Sequence, residues 1–350
     1  MEVLILGGTG AMGAPVVQIL ADRNNHVVVT TRQNKKSQNK SIQFVRGDAH
    51  DLNFVKGLLV KPYDAVIDFM IYTPEEFRTF SKLYMEKSRQ YVFLSSARVY
   101  ADSPEARITE DTPRLLDVTK DEQYLATNEY ALAKAREENV LTESGFNNFT
   151  IIRPYITYYN NRLQLGIFEK EIWLQRALDG KKIVFSRNIA SKYTTLTYGY
   201  DVALRIADLV GKDCALGEAY HITTEECTKW EDVLEQHTGK RPEVCWTEKS
   251  DPHLEKTNYY QIHCDREYNR RFSNVKIQAD SGEQQAFMET KQGLEKCLTE
   301  FLNGEKRFQF RDWKEEAVLD RISGDKSLLK EIPGIKNKVK YVVYRYIFNV

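Results

Sequence analysis

Tyr130 and Lys134 close the run Tyr130-Ala131-Leu132-Ala133-Lys134, and on a helix residues four apart project from one face. An ammonium beside a phenol favours release of the phenolic proton, which suits such a tyrosine to acid–base work. A second candidate is the turn Gly7-Gly8-Thr9-Gly10-Ala11-Met12-Gly13. It follows the apolar run Val3-Leu4-Ile5-Leu6 and precedes Val16, Val17, Ile19 and Leu20 at helical spacing. In that strand–turn–helix setting Gly8, Gly10 and Gly13 read as G-x-G-x-x-G. The glycines permit a tight turn and a close backbone approach to a pyrophosphate, and the helix behind them presents free N–H groups and its positive end. The third candidate is Ser95-Ser96, where the apolar run Tyr91-Val92-Phe93-Leu94 stops. Each has an ordinary alternative: a surface tyrosine beside a surface lysine, a tight turn without a ligand, and a serine in a strand-end turn.

These groups must be positioned by something, and the chain supplies alternating apolar runs and helical patterns. Strands are expected over 26–31, 42–45, 64–68, 91–94 and 151–154, with helical stretches such as 75–87 between them. That alternation predicts an α/β fold with a parallel sheet and right-handed crossovers. A helix is expected to begin near Glu122 and to carry Tyr130 and Lys134. At the end of the second strand, where an acidic residue would hold the ribose 2′-hydroxyl of NAD, the sequence has Thr31 and Arg32, with Lys35 and Lys36 close behind. A guanidinium and a hydroxyl suit a 2′-phosphate, so NADP(H) is favoured over NAD(H); the alternative is a solvated loop. Asp48, after the third strand, either caps the next helix or sits near the adenine.

The totals narrow the class. The chain has 350 residues, 42% of them apolar, which fits one large α/β domain with a smaller lobe. Lys+Arg and Asp+Glu both number 50, leaving no excess charge to suggest a nucleic-acid partner. Five scattered cysteines without a C-x-x-C pair argue against a metal site or a disulfide framework, and favour a reducing, cytoplasmic setting. No apolar run approaches membrane-spanning length.

Glycine turn, serine at the end of the fifth strand and Y-x-x-x-K on the next helix, in that order, resemble the extended short-chain dehydrogenase/reductase family. That family contains nucleotide-sugar epimerases, dehydratases and ketoreductases. Ile151-Ile152-Arg153-Pro154, the run from Tyr193 through Asp201-Val202-Ala203, and Gly217-Glu218-Ala219-Tyr220-His221-Ile222 are similar to later family segments, so the resemblance covers about residues 1–240. It implies a doubly wound parallel Rossmann sheet with a smaller mixed C-terminal substrate lobe. The Rossmann domain would take residues 1–159 and about 190–222. The lobe would take about 160–189 and 223–350, including a helical C-terminal extension. It implies hydride transfer between a nicotinamide and a sugar carbon, with Tyr130 as acid/base. Ser96 would hydrogen-bond the same oxygen, and Lys134 would hold the nicotinamide ribose. The cofactor would lie against Gly7, Gly8, Thr9, Gly10, Ala11, Met12, Gly13, Thr31, Arg32, Asp48, Tyr130 and Lys134.

Departures from the family pattern bear on the substrate. Ala97 and Arg98 stand where dehydratases carry an Asp-Glu pair, which disfavours 4,6-dehydration. Asp68-Phe69-Met70-Ile71-Tyr72 replaces a histidine and small alanines beside the cofactor. Thr194 occupies the place of an arginine for a substrate diphosphate, with Lys192 or Arg187 as substitutes. Residues 160–188 read as a helix over 167–178 and a short strand. Residues 265–272 read as a short basic helix whose arginines face either an anionic substrate or solvent. Residues 284–302 form a long amphipathic pattern. The basic and aromatic stretch 336–350 is expected to pack on the body, with a homodimer contact or a membrane surface as the other readings. His221 and His263 are isolated and receive no role. The expected partner is a sugar or nucleotide-sugar; an exchangeable NADP would go with a ketoreductase and a retained NAD with an epimerase. The reading from another class is a non-catalytic NAD(P)-binding regulator or RNA-binding member of the same fold. The intact Ser96, Tyr130 and Lys134 and the neutral charge weigh against it.

Overall fold

A computed structural model describes residues 1–10, 12–238, 242–249, 252–282, 286–305 and 308–347. Seven strands form the central sheet: β1 (Glu2–Leu6), β2 (His26–Thr31), β3 (Ile42–Arg46), β4 (Tyr63–Asp68), β5 (Ser88–Leu94), β6 (Phe149–Pro154) and β7 (Glu218–Ile222). Their order is β7-β6-β5-β4-β1-β2-β3 and every pairing is parallel. Val3, Leu4, Ile5 and Leu6 are all fully buried, because the sheet is covered on both faces. Alternate side chains point opposite ways. Val3 and Ile5 pack with α1 (Gly13–Asp22) and with a later helix, Gly199–Leu209. Leu4 and Leu6 pack on the other face with α2 (Leu52–Leu58), α3 (Pro74–Glu86) and α4 (Tyr130–Thr142).

Local chemistry sets the helix starts. The α3 helix begins at a reciprocal Thr73–Glu76 capping box with Pro74 in its first turn. The α2 helix is capped by Asp51, which accepts from the amides of Asn53 and Phe54; Asp48 is therefore not its cap. The helix expected from Glu122 is broken in two. Asp121 caps the single turn Glu122–Leu125, and Glu129 then accepts from the Ala131 amide to start α4 at Tyr130 itself. Tyr130 and Lys134 still lie one turn apart, but the phenol sits at the helix's opening residue.

The second half of the chain departs further from expectation. Residues 164–169 are not helical: Gln164–Leu165 and Phe168–Glu169 pair around Gly166, whose φ of 57° lies in the left-handed region. The helix there is only α5 (Trp173–Leu178), and the expected short strand is Ile183–Ser186. The helix Gly199–Leu209 is α6, and the amphipathic pattern at 284–302 becomes α7 (Thr290–Asn303). Residues 265–272 are not a basic helix; a wide turn, Ile262–Arg266, ends there and irregular chain follows. Arg266 and Arg270 are 3% and 1% exposed and both pair with Asp265, so they are no solvated face. The chain then forms α8 (Trp313–Ser323) and α9 (Ile335–Val342). A large apolar cluster including Trp173, Phe185, Trp230, Leu294, Phe301 and Leu319 joins α5, α7 and α8. Among the described residues no helix is long and apolar enough to cross a membrane.

One ion network locks α5 to α8. Arg176, 1% exposed, reaches Glu316 (3.0 Å) and Asp320 (2.8 Å), and Lys181 meets the same two carboxylates at 2.6 and 3.0 Å. Removing one partner strands buried charge. The variant Arg176→Ala is expected to lose about 3 kcal/mol of stability in urea unfolding, with an unchanged midpoint contradicting the assignment.

Candidate active site

In an open α/β sheet a ligand crevice forms at the carboxyl ends of the strands where the order reverses. Here that point lies between β1 and β4, whose last residues, Leu6 and Asp68, are paired in register. The chain leaves β1 through Gly7, whose φ of 68° favours glycine. A Cβ on Gly8 would lie 2.6 Å from Ile5, and one on Gly13 would lie 2.7 Å from the Cα of Gly8. Those two glycines let turn, strand and helix close on each other. Gly10 differs: a Cβ there would meet nothing within 4 Å. Its bare backbone faces the crevice.

The crevice has two continuous parts that share Gly7, Gly10, Phe69, Met70 and Ile71. The outer part, about 400 Å³, adds Thr9, Thr31, Arg32 and Asp48. The inner part, about 230 Å³, adds Met12, Gly13, Tyr130 and Lys134. The structure therefore brings most of the residues singled out in the sequence to one groove. Gly8 sits beneath it, Ala11 lies outside the described residues, and Ser96 is not among the lining side chains. Ser96 is 6% exposed and its Oγ accepts from the Arg98 amide, which leaves its own proton free to donate. Among the described residues no group of three His, Cys, Asp or Glu side chains could hold a metal ion.

Around Tyr130 and Lys134 the structure adds residues that the sequence reading missed. The ring of Tyr130, 39% exposed, lies 5.4 Å from the guanidinium of Arg98, which is itself held by Glu129 at 2.6 Å. Lys134 is only 3% exposed; its Nζ donates to Glu137 at 2.8 Å and lies 4.6 Å from the centre of the Phe93 ring. Burial pushes the Glu137 carboxyl up, partly offset by Lys134. The spacing of Lys134 and Glu137, three apart on one helix, was a signal that could have found this pair. Thr157 and Arg162 also line the inner crevice. The Thr157 hydroxyl is buried without a hydrogen-bond partner, and Arg162 pairs with Glu169 at 3.0 Å. Thr194, by contrast, is fully buried, and Arg187 lies over Trp246.

At the end of β4, Asp68 is 1% exposed and accepts from the Met70 amide and the Tyr91 hydroxyl, both at 2.9 Å. Burial drives its carboxyl up to about 7, although those two donors and Lys134 pull it back. A carboxyl raised this way is protonated more readily in the native state than in the unfolded chain. Its contribution is therefore present at low pH and is lost as pH rises from about 4 through 7. Asp68→Asn is expected to flatten that fall, on the order of a few kcal/mol, in urea unfolding across this range. An unaltered pH slope would show that Asp68 ionises as it does in water.

An orphan buried hydroxyl at Thr157 and an open space over Gly10 are what an extended polar ligand in this groove would fill. Residues 7–172 match the family model described as NAD(P)H-binding. No curated protein matches the sequence. Among solved structures, Pal from Bacillus thuringiensis is similar at 17% identity, covering 87% of this chain and 100% of that one, with a TM-score of 0.68. The dTDP-glucose 4,6-dehydratase of Bacillus anthracis, in complex with NAD, is 16% identical over 87% of this chain and 98% of its own (TM-score 0.65). A variant of UDP-glucuronic acid 4-epimerase from Bacillus cereus, in complex with a fluorinated UDP-sugar and NAD, is 17% identical over 84% and 97% (TM-score 0.64). Residues 7–172 thus match an NAD(P)H-binding family model, and the chain has the fold of these solved dehydratase and epimerase structures.

Proposed function

We propose that the protein is an NAD(P)-dependent oxidoreductase or epimerase acting on a sugar, with a nucleotide-linked sugar as the first candidate and Tyr130 as its acid/base. The observation that carries this reading is that Tyr130 and Lys134 line the same groove as the glycine turn. A bound nicotinamide would supply the hydride acceptor or donor; the chain supplies positions and protons. Gly10 and the start of α1 would hold the pyrophosphate. Thr31 and Arg32, in the outer part of the groove, would meet a ribose 2′-phosphate, which favours NADP(H), while Asp48 would lie at the adenosine end.

Lys134, steadied by Glu137, would hold the nicotinamide ribose hydroxyls. Tyr130 would give its proton to the substrate oxygen during reduction, or take it during oxidation. As that proton leaves, the Arg98 guanidinium over the ring would stabilise the phenolate. Ser96 would donate its free hydroxyl proton to the same oxygen and fix its direction. Phe69, Met70 and Ile71 form an apolar wall along both parts of the groove and would exclude water from the reacting carbon. Arg98 in place of an acidic residue removes the carboxylate that dehydration would need. Arg162 is the cation on the inner groove best placed to meet an anionic part of the substrate.

Tyr130→Phe is expected to lower kcat by about 10²- to 10⁴-fold while leaving dinucleotide binding intact, measured by turnover on a panel of sugar nucleotides with NADPH and NADH. Equal turnover in wild type and variant, or none in either while the dinucleotide still binds, would favour the non-catalytic regulator. Gly10→Val points a side chain into open space. It is expected to preserve the melting temperature and weaken NADPH binding by more than about tenfold, on the order of the steric and hydrogen-bond losses of a blocked anion site, as read by fluorescence titration.

A further inference from the structure

The last described helix buries one side and exposes an apolar stripe on the other. Tyr341 in α9 is 1% exposed; its hydroxyl donates to Asp320 and its ring meets Trp313 at 6.3 Å. That side is settled against α8. Facing outward are Ile335 (81% exposed) and Val339 (55%), and the wider turns Val343–Ile347 that continue the helix expose Tyr346 (58%) and Ile347 (66%). At about 100° per residue, Ile335, Val339 and Val342 fall within one narrow sector. Lys336 and Lys340 lie along one edge of it and Lys338 along the other. The segment leading into the helix exposes Leu328 and Leu329 as well. Residues 326–347 carry six cations (Lys326, Lys330, Lys336, Lys338, Lys340 and Arg345) against one acid, Glu331, although the chain as a whole is balanced at 50 each.

Charge selects the occupant of this face. An isologous contact with a second copy would set each lysine edge against another lysine edge. A nucleic acid would satisfy the cations and leave the apolar stripe in water. An anionic bilayer satisfies both: apolar side chains enter the acyl boundary while lysines reach the headgroups. We propose that α9 and its continuation dock the protein in the plane of an anionic lipid surface. Ile335, Val339 and Tyr346 are inserted, and Lys336, Lys338, Lys340 and Arg345 lie at the headgroup level. The docking is peripheral and reversible, and it is independent of the reaction assigned to the groove.

Vesicle co-sedimentation of the full chain tests this. Wild type is expected to sediment with phosphatidylcholine vesicles containing phosphatidylglycerol, to stay in solution with phosphatidylcholine alone, and to be released by high salt. The triple variant Lys336→Gln, Lys338→Gln, Lys340→Gln is expected to lower partitioning on the order of 10²-fold, at about fivefold per cation near the surface. The double variant Ile335→Ser, Val339→Ser should lose binding while keeping its melting temperature and NADPH affinity, since both side chains are exposed and neither lines the groove. Wild type remaining in solution with anionic vesicles, or variants sedimenting as well as wild type, would overturn the proposal. So would a dimer in gel filtration that Val339→Ser breaks without any vesicle association, which would give this face to a second copy.

Discussion

The carboxylate of Glu138 fixes the helix on which the candidate chemistry depends. It accepts from the Ser95 hydroxyl (2.6 Å), from two nitrogens of Arg153 (both 2.8 Å) and from Arg114 (3.2 Å), and it is 1% exposed. Ser95 comes from the end of β5, Arg153 from β6 and Arg114 from the loop between β5 and α4. One buried side chain therefore sets the rotation of α4 against the carboxyl edge of the sheet. With that rotation set, Lys134 and Tyr130 face the groove that begins at the glycine turn. A buried charge with four charge-assisted or hydroxyl donors is satisfied only in this arrangement, so an alternative docking of α4 would strand it.

The same helix shows where the sequence could be read and where it could not. Tyr130 and Lys134 were visible because their relation is local, one turn of one helix. The central strands were visible because burial on both faces demands unbroken apolar runs such as Val3 to Leu6. The start of α4 was not, because its buried residues include Lys134, Glu137 and Glu138 beside Leu132 and Leu141, which blurs the apolar period that marks a helix. Its true start depends on two caps, Asp121 and Glu129, and either could have begun a single longer helix. Asp48 read as a possible cap of the next helix, but the amides there bond to Asp51, three residues on, which the sequence reading did not consider. Arg266 and Arg270 read as facing either an anionic substrate or solvent because what they contact is remote in sequence. Arg266 donates to the Gly166 carbonyl, and Arg270 to those of Tyr100 and Ala101.

The inner end of the groove is built differently from the small, alanine-lined wall that the resemblance implies. One lysine lies among two buried carboxyl groups, Asp68 and Glu137, and burial raises both. Low dielectric cannot support two carboxylates beside a single ammonium without cost, so one of the pair tends to keep its proton. Glu137 accepts from Lys134 at 2.8 Å and so fixes that side chain one turn from the phenol. Phe69, Met70 and Ile71 then form the wall between the inner and outer halves. The chain gives up room at the inner end of the groove in exchange for an apolar surface along it.

The central claim is that a nicotinamide ring lies at the Tyr130 end of the groove and an adenosine at the Asp48 end. A crystal structure of the protein with NADP⁺ measures this most directly. The pyrophosphate is expected over Gly10, the 2′-phosphate beside Thr31 and Arg32, and the nicotinamide ribose within hydrogen-bond reach of Lys134. A dinucleotide bound with its nicotinamide remote from Tyr130, or bound outside this groove, would contradict it.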